Sequence, residues 1–562
     1  MMLRPFVRKL FISASLVSLT ACTLGPDFNG PNSVEMPTKW TKQDTQSAES
    51  SAQLWWKQFN DPTLNSLIDT ALDQNLNLEA AGIRILQARM VLGINDALRF
   101  PQVQTLSGNL AKIYQNEHSF NSSEFSFDAG WELDVWGKYA RGIESAEASY
   151  FATIASYRNV AVSITAEVAR NYLNYRTFQE RMLLSQRNIK IQKRVLQITE
   201  AQFGAGDVTE LDVQQAKSQL YATQAAYSAL QVGLMQSKNA LAVLLGNLPE
   251  QMTSLLDTPE VQQKMAQFDS ATQNSTTHGG VTEDSLIPKP PQLADKVDAS
   301  LVLRRPDLQI SELQAHAQSA KIGAAKAELY PSFSLFGSIG ISSTVPSGDS
   351  FSFDDSLVVA AGPTFSWNIL QYGRLKNNVR LQDAMLQEAL VNYNQSVLSA
   401  VQEVSSAMSS YQLYQEQEQL RMNSVNASVR AFNISMIQYQ NGSITFERLL
   451  NSVTRMTQSE DAYAQAKGNV ATQVVALYKA LGGGWEATTG KQFVSDENIQ
   501  QMKDRTNWGD YLDTPDLPDE KSSAPEVLRS EYQDGEKLQS EQSISNKQSI
   551  QNEQSIKNEE AK

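Results

Sequence analysis

Residues 137 to 246 and 373 to 482 are related by one constant offset, with position 137 matching position 373. Gly137-Lys138 meets Gly373-Arg374, Glu167-Val168 meets Glu403-Val404, and Gln202-Phe203 meets Gln438-Tyr439. Gly206 meets Gly442, and Leu245-Gly246 meets Leu481-Gly482. A fixed offset held without a gap over about 110 residues marks a duplication, so each half must build the same structural unit. Whatever one half cannot bury alone, the other half or another copy of the chain has to cover.

Within each unit the hydrophobic period changes from two to about three and a half. Phe125, Phe127, Ala129, Trp131, Leu133 and Val135 alternate with Ser126, Asp128, Gly130, Glu132 and Asp134, the pattern of a strand with one greasy and one wet face. Residues 102–114 read as its weaker partner, joined through the polar stretch 115–124. In the second half Phe333, Leu335, Gly337, Ile339 and Ile341 share one face, and Leu357, Val359, Ala361, Phe365 and Trp367 share another. The chain therefore offers four amphipathic strands.

After each strand pair comes a long run without Gly or Pro, positions 143–203 in the first half and 374–441 in the second. As helices these would be roughly 90 to 100 Å long. Tyr150, Ile154, Tyr157, Ala161, Ile164, Val168, Tyr172 and Tyr175 recur in steps of three and four, as do Leu386, Leu390, Tyr393, Val397, Ala400, Val404, Met408 and Tyr411. Such steps predict a coiled-coil seam with a left-handed supercoil. Each run closes at a matching turn where Gly206 or Gly442 suits a left-handed cap. Return helices are expected over 207–245 and 443–481, ending at Gly246 and at Gly482-Gly483-Gly484.

The remaining composition excludes more than it identifies. One cysteine and three scattered histidines (His118, His278, His316) leave little for a disulfide or a His/Cys metal cluster. A net charge of −14 argues against nucleic acid, and the segment 486–562 carries nearly twice as many acidic as basic side chains. Gly482-Gly483-Gly484 lacks the following Lys-Ser/Thr of a phosphate loop, and no catalytic constellation is recognisable, so the chain reads as no enzyme and needs no cofactor. Residues 1–21 read as an export signal: Arg4, Arg8 and Lys9 precede an apolar run too short to span a bilayer. Leu19-Thr20-Ala21-Cys22 looks like a bacterial lipobox, which makes Cys22 the expected lipidated first residue, and Thr23 after it implies delivery to the outer membrane.

Four strands leave two open edges, which lipid does not tolerate, and single-chain membrane barrels begin at about eight strands. The chain must therefore oligomerise to close a wall. Two copies would give eight strands with a filled interior, and three would give twelve with room for a lumen, so a homotrimer suits a conduit. The greasy strand faces would meet lipid, and Trp131, Trp136, Trp367 and Tyr372 are candidates for an interfacial aromatic belt.

Thr20-Ala21-Cys22, Trp55-Trp56, Leu303-Arg304-Arg305-Pro306-Asp307, Leu329-Tyr330-Pro331-Ser332-Phe333, the turns after Phe203 and Tyr439, and Lys479-Ala480-Leu481-Gly482-Gly483-Gly484-Trp485 occur in an order that resembles the outer membrane efflux protein family. This is the TolC-like family, and the lipobox points to its lipoprotein branch of OprM- and NodT-type outer membrane factors. The resemblance covers about residues 22–485. It implies an α+β fold: a trimeric twelve-stranded transmembrane β-barrel continuous with a periplasmic α-barrel of twelve coiled-coil helices, with a mixed equatorial region. It also implies a passive exit duct for small toxic molecules, driven by an inner-membrane pump, of RND type, through a periplasmic adaptor. Runner-up readings are the outer-membrane component of a type I protein secretion system and a poreless structural coiled-coil lipoprotein. The expected organisation is a signal peptide (1–21), a first repeat (22–246), a flexible linker (247–300), a second repeat (301–485) and an acidic disordered tail (486–562).

Both turns belong at the end of the helices far from the strands, so the inner mouth is expected at Asp207, Glu210 and Asp212 in one repeat and Glu447, Arg448 and Asn451 in the other. In the family, aspartates beyond the second turn narrow the aperture. Here Arg448 and Asn451 hold those places, and an ion pair from Arg448 to Asp212 or Glu210 across subunits would hold the mouth shut. The Arg305-Pro306-Asp307 element is expected to serve stability, not cargo.

Overall fold

The computed structural model describes residues 23–31, 53–116, 118–274, 285–291, 302–346 and 356–512. The first repeat contains helices α1 (Pro62–Gln74) and α2 (Leu76–Asp96), strands β1 (Val103–Gln115) and β2 (His118–Leu133), the long helix α3 (Lys138–Ala205) and its return α4 (Glu210–Leu244). Linker helices α5 (Met252–Leu256) and α6 (Pro259–Asn274) follow. The second repeat contains α7 (Pro306–Ala327), β3 (Ser332–Pro346), β4 (Leu357–Ser366), α8 (Arg374–Gln440) and α9 (Phe446–Ala480), and α10 (Asp496–Arg505) closes the described chain. Among the described residues no helix is long and apolar enough to cross a membrane. The signal peptide and Cys22 lie outside the described residues.

The strands form one antiparallel sheet in the order β1-β2-β3-β4, so the β2–β3 ladder joins the two repeats. Its register aligns the period-two pattern across all four strands: Leu106, Phe127, Ile339 and Val359 form one row, and Thr105, Asp128, Ser338 and Ala360 form the next. A slip of one residue would turn every apolar side chain to the other face, so this agreement fixes the register. The polar stretch expected as a loop is strand. Gln115 already pairs with His118, and Asn116 lies in the left-handed region at φ 51°. Its Ser and Asn content suits a strand wet on one face, which composition alone does not separate from a loop. Strands β1 and β4 keep unpaired edges within the protomer.

The strands lead into the long helices through residues 134–137 and 367–373, which end at Gly137 (φ 73°) and Gly373 (φ 87°), each the residue before the helix starts. Both sit in the left-handed region that glycine enters without steric cost, which allows the abrupt change from extended to helical chain. Helices α3 and α8 run 68 and 67 residues, about 100 Å each. The helix α3 packs on α4 and α9, and α9 packs on α8, so α4 and α8 are the outer edges of a four-helix layer. The expected seam of α3 is buried from Ile154 to Tyr175. On α8 the seam is buried at Val397, Ala400, Val404 and Tyr411 but only half-buried at Leu386, Leu390 and Tyr393, because an edge helix lacks a neighbour on one side.

The main core surrounds the middle of α3. Trp55 and Trp56 are fully buried there, and Trp55 stacks on Tyr478 of α9 with ring centroids 5.4 Å apart. Removing a side chain of that size from water is worth at most roughly 4 to 6 kcal/mol at about 25 cal/mol per Å². Residues 485–512 correct the expectation that the tail is disordered from residue 486. Phe493, Val494, Met502 and Leu512 are buried in this core, and α10 is capped by the Ser495 side chain. A Cβ on Gly82 would come within 2.0 Å of the Phe493 carbonyl oxygen, so α2 approaches the tail segment as only glycine permits. Residues 513–562 lie outside the described residues. The linker is also more ordered than expected: α5 and α6 are helical, and the Leu286 N–H and Ser285 hydroxyl donate to the buried Glu180 carboxylate at 3.0 and 2.6 Å. Residues 275–284 and 292–301 lie outside the described residues. Arg305 acts as expected of a structural residue. It donates to the Ala480 carbonyl at 2.7 Å and pairs with Asp307 and with Glu403 of α8 at 2.7 and 2.8 Å, tying three helices together.

Candidate pore wall and mouth

At one end of the molecule the sheet presents its apolar rows outward. Leu106, Phe127, Ile339 and Val359 are all exposed, the reverse of what a water-facing surface carries over so wide a patch. Strands of 10 to 16 residues suffice, since about 9 to 11 tilted residues cross a bilayer. The four belt aromatics collect where the strands meet the helices. Trp131, Trp136 and Trp367 donate their indole N–H groups to the carbonyls of Arg99, Pro331 and Leu329, and the Tyr372 ring is fully exposed. The segment just after Cys22 is pinned at the same level. Leu24 N–H donates to the Trp136 carbonyl, Arg141 binds the Leu24 carbonyl and pairs with Asp27, and a Cβ on Gly137 would meet Thr23 at 2.8 Å.

At the far end of the long helices, about 100 Å away at ~1.5 Å per residue, the two helical hairpins turn side by side. Each turn is a double-bonded glycine cap: Gly206 and Asp207 N–H reach the carbonyls of Phe203 and Gln202, and Gly442 and Ser443 N–H reach those of Tyr439 and Gln438. The tips share one cluster, in which Val195 of α3 and Ala216 of α4 pack with Val425, Val429, Phe432 and Met436 of α8 and Phe446, Leu449, Val453 and Met456 of α9. Thr454 donates to the Gln219 side chain at 3.3 Å, a polar stitch between the hairpins. All six expected mouth residues lie at these tips: Asp207 in the loop, Glu210 and Asp212 in the first turn of α4, Glu447 and Arg448 in the first turn of α9, and Asn451 one turn on.

Their partners differ between repeats. Thr209 and Asp212 form a capping box, in which the Asp212 N–H donates to the Thr209 hydroxyl and the Thr209 N–H donates to the Asp212 carboxylate at 2.9 Å. Asp212 is therefore held by its own helix, and no ion pair from it or Glu210 to Arg448 forms within the protomer. At the repeat offset, Thr445 replaces Thr209 and Arg448 replaces Asp212; Thr445 makes no side-chain cap. Between the ends of α8 and α9 lies a groove of about 640 Å³ lined by Arg421, Arg448, Arg455, Asn451, Ser424 and Ser428. Arg421 and Arg455 were not legible as site residues in the sequence, since only the antiparallel hairpin brings Arg421 of α8 against Arg448 and Arg455 of α9. The carboxylates farther along α9, Glu460 and Asp461, are taken by Arg187 and Arg181 of α3.

The sequence profile of the Outer membrane efflux protein family matches residues 67–247 and 299–483, one stretch on each repeat. Nodulation protein T of Rhizobium leguminosarum bv. viciae is 28% identical over 471 residues, spanning 84% of this chain and 92% of its own. The pyoverdine export outer membrane protein OpmQ of Pseudomonas putida is 29% identical over 499 residues, spanning 85% of this chain and 98% of its own. The solved structure of the outer-membrane channel OprN aligns with a TM-score of 0.68 and 30% identity, over 83% of this chain and 100% of that one.

Proposed function

This chain belongs to the outer membrane efflux protein family, it is an outer-membrane channel component of an efflux system, and from that premise we propose how its parts assemble and whom they serve. Three copies join β1 and β4 edges into a twelve-stranded barrel, and the edge helices α4 and α8 of neighbouring copies meet to close the wall below it. The apolar rows of the sheet face lipid, and the hairpin tips, with Asp207, Glu210, Asp212, Glu447, Arg448 and Asn451, form the mouth on the periplasmic side. The observation that carries this reading is a sheet with open edges and an exposed apolar face, joined by short connections to helices of 68 and 67 residues. Exposed Leu413, Leu420 and Ile434 on α8, and Tyr221, Val232 and Met235 on α4, support edge-to-edge packing of copies. A periplasmic adaptor and an inner-membrane pump of RND type are the partners, because a passive duct moves substrate one way only when an energised partner feeds it.

Cys22 carries the lipid anchor. Pinning of residues 23–27 beside Trp136 and Gly137 supports this, because it holds the chain that follows Cys22 level with the aromatic belt. Purified protein tests the whole reading: a trimer by native mass spectrometry, ion conductance in planar bilayers and a lipid adduct on Cys22 are expected. A poreless monomer overturns the assembly, and an unmodified Cys22 overturns the anchor alone.

A further inference from the structure

The groove at the second hairpin tip holds three guanidinium groups and no carboxylate. Arg448 is also set against its local surroundings. It stands at the third position of α9, where the other repeat keeps the Asp of a capping box. A cation in the first turn opposes the helix dipole by roughly 0.3 to 1 kcal/mol, and an absent cap forgoes about 0.5 to 2 more. A residue that breaks a local rule twice, with no ion-pair partner among the described residues, has its reason elsewhere.

The helical period tells which way the groove faces. On α8, Val425, Phe432 and Tyr439 repeat every seven residues toward the core, whereas Leu413, Leu420, Ala427 and Ile434 repeat every seven on the opposite side, the edge that meets the next copy. Arg421, Ser424 and Ser428 lie about a quarter turn from both, so the groove opens on a face of the wall and not on its edge. That face carries Ser424, Ser428 and Ala431, and the opposite one Asn423, Asn426, Arg430 and Asn433. A ring of helices has less circumference inside than outside, so the small residues belong inside.

Resting on the conduit reading above, we propose that Arg421, Arg448 and Arg455 form a cationic collar lining the periplasmic mouth, which admits organic anions, carboxylates above all, and turns back cations. Arginine forks match carboxylates bidentately, and a ring of one sign sets the charge preference of a pore. Threefold repetition multiplies the effect, since like charges in a confined mouth are screened less than on an open surface.

The test is the reversal potential of the full-length protein in planar bilayers under a roughly tenfold KCl gradient, with citrate as the carboxylate probe. The wild type should give a potential of the sign set by chloride, and citrate should lower its current. Arg448→Asp restores the capping box and so should fold at least as well, yet it should move the potential toward the sign set by potassium and relieve the citrate effect. Arg421→Gln with Arg455→Gln should shift the potential part of the way, and Arg430→Gln, on the opposite face, should leave it unchanged. A wild type without anion preference, or an Arg430→Gln shift equal to that of Arg448→Asp, overturns the collar while leaving the duct intact. A wild type that carries no current overturns both.

Discussion

The two hairpin tips descend from one duplicated unit and keep the same glycine turn, yet they have diverged in what secures them. The first-repeat tip is locally self-sufficient, with Thr209 and Asp212 satisfying the start of α4. The second-repeat tip leaves Thr445 without a cap bond, places Arg448 where the acid was, and buries Tyr439 where the first repeat exposes Phe203. Its order comes from the shared cluster, not from its own termini. Duplication thus let one copy keep local stability while the other exchanged it for charge at its tip.

The largest effect should come from removing that shared support. Phe432 is fully buried in the tip cluster, and Phe432→Ala should cost about 3 to 5 kcal/mol there. Amide hydrogen exchange in the assembled protein should then rise in both turns, around 203–210 and around 439–446, although only one hairpin carries the substitution. A rise confined to the second turn would show that the tips are independent and the contrast between them merely local.

Higher up, the repeat offset pairs two glutamates with opposite surroundings. Glu180 is buried, pairs with Lys467 of α9 and accepts from Ser285 and Leu286 of the linker, whereas Glu416 is exposed on α8. Removing one partner of a buried pair strands the other, so Glu180→Ala should lose about 3 to 5 kcal/mol. Thermal unfolding of the trimer should show a clear drop for Glu180→Ala and none for Glu416→Ala. Equal drops would mean that a neighbouring copy covers Glu416, which would redraw the edge of the wall.

These pairs also show what the sequence could and could not disclose. Offset and periodicity carry long-range information as strict arithmetic, so the strands, the long helices and both turns were legible. The folded tail was not, because a short segment with few apolar residues looks like its solvated continuation; the acids after Ser495 and the bases Lys503 and Arg505 were the available helix signal. Glu180 and Glu416 are indistinguishable in sequence, since burial here depends on which helix is an edge. The groove escaped for a related reason, as Arg421 and Arg455 stand far apart along the chain on different helices and only the hairpin register brings them together.

The smallest effect tests the caps themselves. Thr209→Ala removes the hydroxyl that accepts from the Asp212 N–H and frees the Asp212 carboxylate from the Thr209 hydroxyl, so it should cost about 0.5 to 2 kcal/mol locally. Thr445→Ala removes no cap bond and should cost almost nothing. Hydrogen exchange at the first turns of α4 and α9 reads each difference directly, and in the unsubstituted protein the α9 turn should already exchange faster. If Thr445→Ala proves as costly as Thr209→Ala, the second tip has a cap that forms only in the assembly. Arg448 would then sit in an ordered helix start supplied by a neighbouring copy, and the concession of local stability there would disappear.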